Sequence, residues 1–195
     1  MIRIAKAEDA PKFSEIYRPY VEKSAVSFET EAPDTAEFCR RIKETEKNYP
    51  WIVLEEDGKI LGYAYAHRYR ERKAYDWAVE SSIYLADEAK HQKIGDRLYK
   101  SLMCILKEQG VLLAYAFITS PNPESENFHL RFGFERESLQ KKIAYKNGAF
   151  RDLAVMRYEI GPFPEIPQPL VPFEILRKSP AFRLEEKNFD LETLE

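Results

Sequence analysis

The 195-residue sequence predicts an α/β fold in which a mixed β-sheet is flanked by helices. Three observations predict it. Apolar residues recur at helical spacing in two well-separated segments, at Phe38 and Ile42 and again from Leu98 through Leu102 to Leu106. Two pairs of strand-like runs are joined by Asp57-Gly58 and Asn147-Gly148, dipeptides that favour tight hairpins. Leu112 to Ile118 is a continuous apolar run, suited to a strand buried on both faces and reached through a helical crossover.

The elements follow in order. Ile2, Ile4 and Ala5 open with a short strand. Glu8 and Asp9 begin a helix carrying Phe13, Ile16, Tyr17 and Tyr20 at helical spacing, which Pro19 bends or ends. A second helix is predicted from about Thr35 to Lys47, with Asp34 or Thr35 as its N-cap, and Tyr49-Pro50 stops it. Trp51 to Glu55 and Ile60 to His67 are antiparallel neighbours. A longer strand, about Ala74 to Ala86, leads through a polar loop into a helix from about Asp96 to Gln109, which Gly110 ends. After the buried strand, Ser125 to Phe132 is a short helix stopped by Gly133, and Glu135 to Tyr145 and Phe150 to Ile160 form the last hairpin. Two crossover helices in the second half predict that this half of the sheet is parallel.

Six of the twelve prolines fall between Pro162 and Pro180, which leaves too few backbone donors for a regular element. The expected organisation is a domain over residues 1–161 and a proline-rich tail over 162–195. The tail wraps over the domain or a partner subunit through Phe163, Leu170, Phe173 and Ile175, with disorder as the alternative for about its last fifteen residues.

Composition narrows the function classes. At 44% hydrophobic and 32% charged residues, the chain can bury a core and solvate its surface. A net charge of -3 supplies no general field for nucleic acid or an anionic membrane, so any anion must be captured locally. No apolar stretch is long enough to cross a bilayer. Met1 to Ile4 leads directly into charged sequence without a signal-peptide pattern, so a cytoplasmic location is expected, with Cys39 and Cys104 as buried free thiols in preference to a disulfide. Neither cysteine has CxxC spacing or a histidine cluster nearby, and no metal is expected.

The segment from Ser81 to Gly95 reads as strand, polar loop and helix start, with two lysines and a histidine in the turn. Unpaired N–H groups and the dipole at a helix N-terminus can cradle a pyrophosphate, and Gly95 permits close backbone approach; a merely solvated loop is the alternative.

Other residues agree with the cradle. Val26-Ser27-Phe28-Glu29-Thr30-Glu31, Tyr49-Pro50-Trp51, the run from Ala74 through Asp76-Trp77 and Glu80 to Leu85, and Pro121-Asn122 continuing through Ser125, His129 and Gly133-Phe134 together resemble the phosphinothricin acetyltransferase group of the GNAT superfamily. The resemblance spans Ala25 to about Ile160. It implies a GNAT-type, partly splayed sheet, acetyl-CoA as co-substrate, a small-molecule amine as acceptor, and pairing into a homodimer.

The superfamily's CoA loop, Q/R-x-x-G-x-G/A, falls on Lys90-His91-Gln92-Lys93-Ile94-Gly95, with Asp96 next. Lys93 stands where glycine is usual, at a cost if its φ must be positive. The resemblance places main-chain bonds to the pantetheine arm on Ile83, Tyr84 and Leu85, and further CoA contacts on Asn122 and Ser125, for which capping is the alternative. It makes Glu80 the general base for an acceptor ammonium, the alternative being an exposed strand glutamate. His129 occupies the place of a tyrosine general acid, or is structural. The acceptor-binding positions that the resemblance implies are Arg70, Arg72, Ser81 and Ser82, with a solvated loop as the alternative for the arginines, and Phe28 and Tyr75 as apolar walls or else core; arginine forks suit a carboxylate. The related enzymes carry a histidine in the last hairpin where this chain has Asn147, which puts phosphinothricin itself in question. A protein or peptide N-acetyltransferase and a non-catalytic acyl-CoA-binding module are the competing readings.

Overall fold

A computed structural model describes residues 1–90 and 92–184. The strands are β1 (Ile2–Ile4), β2 (Trp51–Glu56), β3 (Lys59–Arg68), β4 (Ala78–Leu85), β5 (Leu113–Ser120), β6 (Glu135–Lys146) and β7 (Ala149–Glu159). The helices are α1 (Ala10–Glu22), α2 (Thr35–Thr45), α3 (Ile94–Gln109), α4 (Pro123–Phe132) and α5 (Phe173–Leu176). The strands form one seven-stranded sheet in the order β1-β2-β3-β4-β5-β7-β6. Among the described strands only β4 and β5 are parallel neighbours. The expected parallel half is thus corrected to one parallel pair, because the β6–β7 hairpin inserts β7 between β5 and β6.

Local chemistry sets the boundaries. Both hairpin turns take positive φ at both central residues, Asp57 and Gly58 at 50° and 73°, Asn147 and Gly148 at 52° and 74°. That is the turn whose twist matches paired strands. Asp34 caps α2, its side chain accepting from Glu37 N at 2.8 Å. Pro19 does not end α1, since Lys23 N donates to the Pro19 carbonyl at 3.0 Å. The strand expected from Ala74 begins only at Ala78, because residues 73–75 wind into a single 3-10 turn.

The alternation of strand side chains divides the core. Trp51, Tyr63, Tyr65, Ser82 and Tyr84 share one face through the registers Trp51↔Tyr65, Tyr65↔Ser82 and Tyr63↔Tyr84. That face meets α1, where Phe13 stacks on Tyr63 at 4.4 Å between ring centroids and on Trp51 at 5.7 Å. The opposite face meets α3 through Leu98, Tyr99 and Leu102, all fully buried. Gly62 lies where a Cβ would come 2.5 Å from Leu85 Cδ2, so β3 and the end of β4 admit no side chain there.

Beyond Gly161, several residues from Gln168 to Leu184 pack or hydrogen-bond against this body. Phe173 is fully buried and its N–H donates to the Asn48 carbonyl at 3.1 Å. Gln109 Nε2 donates to the carbonyls of Asn48 and Val171, and Trp77 Nε1 donates to Gln168 O at 2.8 Å. Of the four expected anchors, Phe173 is buried and Leu170 packs against the core, whereas Phe163 and Ile175 are exposed. Residues 185–195 lie outside the described residues. Cys39 and Cys104 form no disulfide among the described residues and are half-buried, a correction to their expected full burial, because each helix turns them to the rim of its apolar stripe. No described helix is long and apolar enough to cross a membrane.

Candidate active site

The site begins where the parallel pair comes apart. Ala78↔Leu113, Val79↔Ala114 and Glu80↔Tyr115 are in register, and the pairing stops there although both strands continue. At the closed end, the Trp77 carbonyl accepts from Leu112 N at 2.9 Å and Leu113 N at 3.1 Å. Past Glu80, the β5-facing edge of β4 has no strand partner among the described residues for its main-chain groups.

At the open end of this fork is a cavity of about 970 Å³ between α1, β4, the start of α3 and α4. Lys23, Lys90, Lys93, Lys100 and Arg131 give it a cationic rim, and Leu85, Ile94 and Phe128 an apolar wall. Lys90 pairs with Asp87 at 2.7 Å, which raises its pKa, and lies 5.3 Å over the Tyr20 ring. Lys93 precedes α3 in the left-handed region at φ 60°, so a lysine holds the backbone shape that the usual glycine adopts freely. Among the described residues no side chain caps α3, and the first N–H groups of a helix have no partner within it. A Cβ at Gly95 would sit 3.3 Å from the Phe128 ring. Asp96 pairs with Arg131 at 3.0 Å. His91 lies outside the described residues.

A narrow cavity of about 60 Å³ continues between β4 and β5. It shares Ile83, Asn122 and Ser125 with the large cavity, and Ser82, Tyr84, Phe117 and Thr119 with a third cavity of about 620 Å³. The three cavities adjoin through these shared residues, and together they are called the passage below. In the third cavity Glu80 projects beside His67, its cross-strand neighbour, with His67 Nε2 3.6 Å from Glu80 Oε1. Burial alone would lower the His67 pKa, but the hydrogen bond and charge of Glu80, with the Arg68 carbonyl, raise it above its ordinary value. Phe28, Trp51 and Tyr65 supply aromatic walls. Arg41 of α2 is the cavity's guanidinium, paired with Glu29 at 2.8 Å and Glu37 at 2.7 Å.

The passage gathers Glu80, Phe28, Ser82, Ile83, Tyr84, Leu85, Asn122, Ser125, Lys90 and residues 93–96, whereas Gln92 turns back to donate to the Glu88 carbonyl. Asn122 caps α4, its side chain accepting from Ser125 N at 3.2 Å. Other candidate residues fall elsewhere. Arg70, Arg72 and Tyr75 line none of the three cavities; Arg70 lies 5.0 Å over Tyr69 and 5.5 Å over Tyr75. Ser81 faces α3, its hydroxyl 2.7 Å from Tyr99 OH, and reaches only the narrow cavity.

His129 also lines the narrow cavity, in a state that does not suit an acid. Its Nδ1 is 2.8 Å from the Ser125 carbonyl oxygen, which only accepts, and its Nε2 is 3.1 Å from Tyr99 OH. Burial pushes its pKa down to about 4, so at neutral pH the ring is neutral and Nε2 accepts. That leaves it without the proton a general acid must give.

The sequence reading missed Arg41, Glu29 and His67. Glu29 lay within a recognised run, but Arg41 sits on the polar side of a helix, and His67 acquires meaning only from its register opposite Glu80. Lys146 was missed as well: it is buried, donates to the carbonyls of Ser27 and Glu29, and so fixes the last hairpin to the wall of the third cavity.

A sheet forked at its one parallel pair, with a cationic helix start at the mouth and a carboxylate beyond the fork, defines an acyl-CoA-dependent transferase. Residues 2–155 match the acetyltransferase (GNAT) domain family, and the chain belongs to that family as an N-acetyltransferase. It is 32% identical over 171 residues to the phosphinothricin N-acetyltransferase of Streptomyces viridochromogenes, covering 88% of this chain and 93% of that one. It is 28% identical to the L-methionine sulfoximine/L-methionine sulfone acetyltransferase of Pseudomonas paraeruginosa, covering 83% of this chain and 95% of that one. Among solved structures, the GNAT superfamily phosphinothricin acetyltransferase from Sinorhizobium meliloti in complex with AcCoA superposes with a TM-score of 0.79. It is 36% identical, and the match covers 83% of this chain and 88% of that one.

Proposed function

We propose that the protein acetylates the amino group of a small amino-acid-like molecule, of the phosphinothricin or methionine sulfoximine type, in the cytoplasm. The observation that carries this is the row of adjoining cavities from the cationic mouth at Lys93 to the carboxylate of Glu80. The mouth fits acetyl-CoA by its cations, its uncapped helix start and the unpartnered edge of β4, groups that suit phosphates and the amides of a pantetheine arm. When bound, acetyl-CoA supplies an activated thioester carbonyl.

This chain's residues do the rest. Lys90, Lys93 and the main chain from Ile94 to Asp96 hold the pyrophosphate, and the main chain of Ile83 to Leu85 holds the arm in the fork. Glu80 removes a proton from the acceptor ammonium, freeing the lone pair for attack. Arg41 meets the acceptor's carboxylate with whatever capacity its two glutamates leave, and Phe28, Trp51 and Tyr65 exclude water. Neither cysteine lines the passage, which favours direct transfer over a covalent relay.

Thiol release from acetyl-CoA across amino acids, their sulfoximine and phosphinic analogues, polyamines and peptides tests the reading. Turnover restricted to peptides, or none with any amine, would overturn it. Asn147 stands at the tip of the hairpin held by Lys146 and donates to Ser24 O at 3.2 Å; a histidine stands at this place in the phosphinothricin enzymes, so the panel should separate phosphinothricin from the sulfoximine acceptors. The protein is further read as a homodimer. Leu139, Ile143, Tyr145 and Phe150 lie exposed on the edge hairpin, an apolar patch that a second copy would cover. Sedimentation at micromolar concentration should show the dimer, and a monomer would refute it.

A further inference from the structure

We propose that His67 is the positioning residue through which Glu80 passes on the acceptor's proton, so that the base of this site is a carboxylate and imidazole pair. The inference rests on the acetyltransferase reading with Glu80 as base.

Three geometric facts carry it. His67 and Glu80 stand directly opposite in the antiparallel β3–β4 ladder, where opposing side chains share a face. Both line the acceptor cavity, 3.6 Å apart at Nε2 and Oε1. His67 Nδ1 is 3.0 Å from the Arg68 carbonyl oxygen, so in the neutral ring Nδ1 carries the hydrogen and Nε2 turns a bare lone pair to the carboxylate. Two acceptors then face each other, and a proton arriving between them satisfies both.

The proton balance is as follows. An N–H bond of the acceptor ammonium breaks, the proton joins the Glu80 carboxylate, and the electron pair left on nitrogen is the one that attacks. The proton moves from Glu80 to His67 Nε2 across a gap that a small side-chain rotation closes, which restores the carboxylate and forms an imidazolium. His67 is the more exposed of the two, 42% against 29% for the side chains, and releases the proton to water.

The surroundings leave this pair dominant. Arg68, on the same strand, pairs with Asp76 at 3.1 Å. Facing the cavity are Arg41 and Glu44 from α2, Glu29 from the preceding loop, Tyr17 from α1, Tyr65 from β3 and Tyr84 from β4. Arg41 is held by Glu29 and Glu37, and among the described residues Glu80 is the only ion-pair partner of His67. With the His67 pKa raised, the imidazolium persists to higher pH than usual. In that form His67 cannot accept, so kcat/KM should rise with pH as the imidazolium loses its proton, along a limb above the ordinary imidazole range.

The test compares pH profiles of wild type, His67→Ala and His67→Gln, together with an NMR titration of the His67 ring in wild type and Glu80→Gln. Glutamine keeps an amide in reach of Glu80 but cannot titrate. Both His67 variants should lose about tenfold in turnover at neutral pH. Their rising limbs should move to lower pH, with the KM for acetyl-CoA unchanged. If His67→Gln keeps wild-type turnover and limb, the role is structural and the inference falls, while thiol release by wild type and its loss in Glu80→Gln leave the acetyltransferase reading standing. The titration needs no turnover. The His67 pKa should be high in wild type and fall in Glu80→Gln; an ordinary value, unmoved by that substitution, overturns the pair whatever the assay shows.

Discussion

The two ends of the passage are built from different material. On the proposed reading, the main chain would supply most of the recognition at the mouth: the helix start after Lys93, the close approach at Gly95 and the edge of β4 beyond Glu80. At the far end side chains supply it: Glu80, His67, Arg41 and an aromatic wall drawn from five separate segments. A main-chain site depends on backbone conformation and suffers when a bulky side chain is added. A side-chain site tolerates shape changes nearby and fails when one functional group is removed.

Four substitutions sharpen or break that contrast. Removing a functional group should have the largest effect: Glu80→Gln should cut turnover on the order of a hundredfold or more, with the KM for acetyl-CoA nearly unchanged. The loss should shrink as pH approaches the acceptor amine's own pKa, since the neutral amine no longer needs a base. Near-normal turnover at neutral pH would reduce Glu80 to a positioning residue. Adding bulk at the mouth comes next. Gly95→Leu drives a side chain toward Phe128 and should raise the KM for acetyl-CoA about tenfold, or about 1.4 kcal/mol, while lowering turnover less. A thermal melt must accompany it, because strain at a buried glycine can also unfold the protein.

Arg41→Gln should raise the acceptor's KM about threefold to tenfold, the lower part of the range for a charge-assisted contact because Glu29 and Glu37 already share the guanidinium. A rise in the KM for acetyl-CoA instead would erase the division between the two ends. The smallest effect is expected at Lys93. Lys93→Gly relieves a left-handed residue of about 1 kcal/mol and should raise Tm by about 2–4 °C, with any loss of acetyl-CoA affinity reporting the ammonium's contribution.

The same contrast explains what could be read in the sequence. Turns and caps are local, and Asp57-Gly58, Asn147-Gly148, Asp34, Gly110 and Gly133 all stand where their chemistry places them. The mouth was legible for the same reason, since it is a contiguous stretch from strand to helix. The sheet order was not, because a helical crossover leaves open whether another strand inserts beside it, as β7 does. Nor were His67 and Arg41 legible as cavity residues. One depends on a register set across a hairpin and a long loop, the other on which side of α2 meets the 24–29 loop. Arg70 and Arg72, adjacent in sequence to the strand that carries Glu80, point the opposite lesson: nearness along the chain did not bring them to the cavity.

The tail has a mechanical consequence for the fork. Two prongs that part at Glu80 and Tyr115 need a root, and that root is the Trp77 carbonyl gripping the N–H groups of Leu112 and Leu113. The indole of the same residue is tied to Gln168, while Gln109 and Phe173 fasten the following stretch to Asn48. The tail therefore acts as a bolt through the pivot: it holds the point about which the prongs would spread.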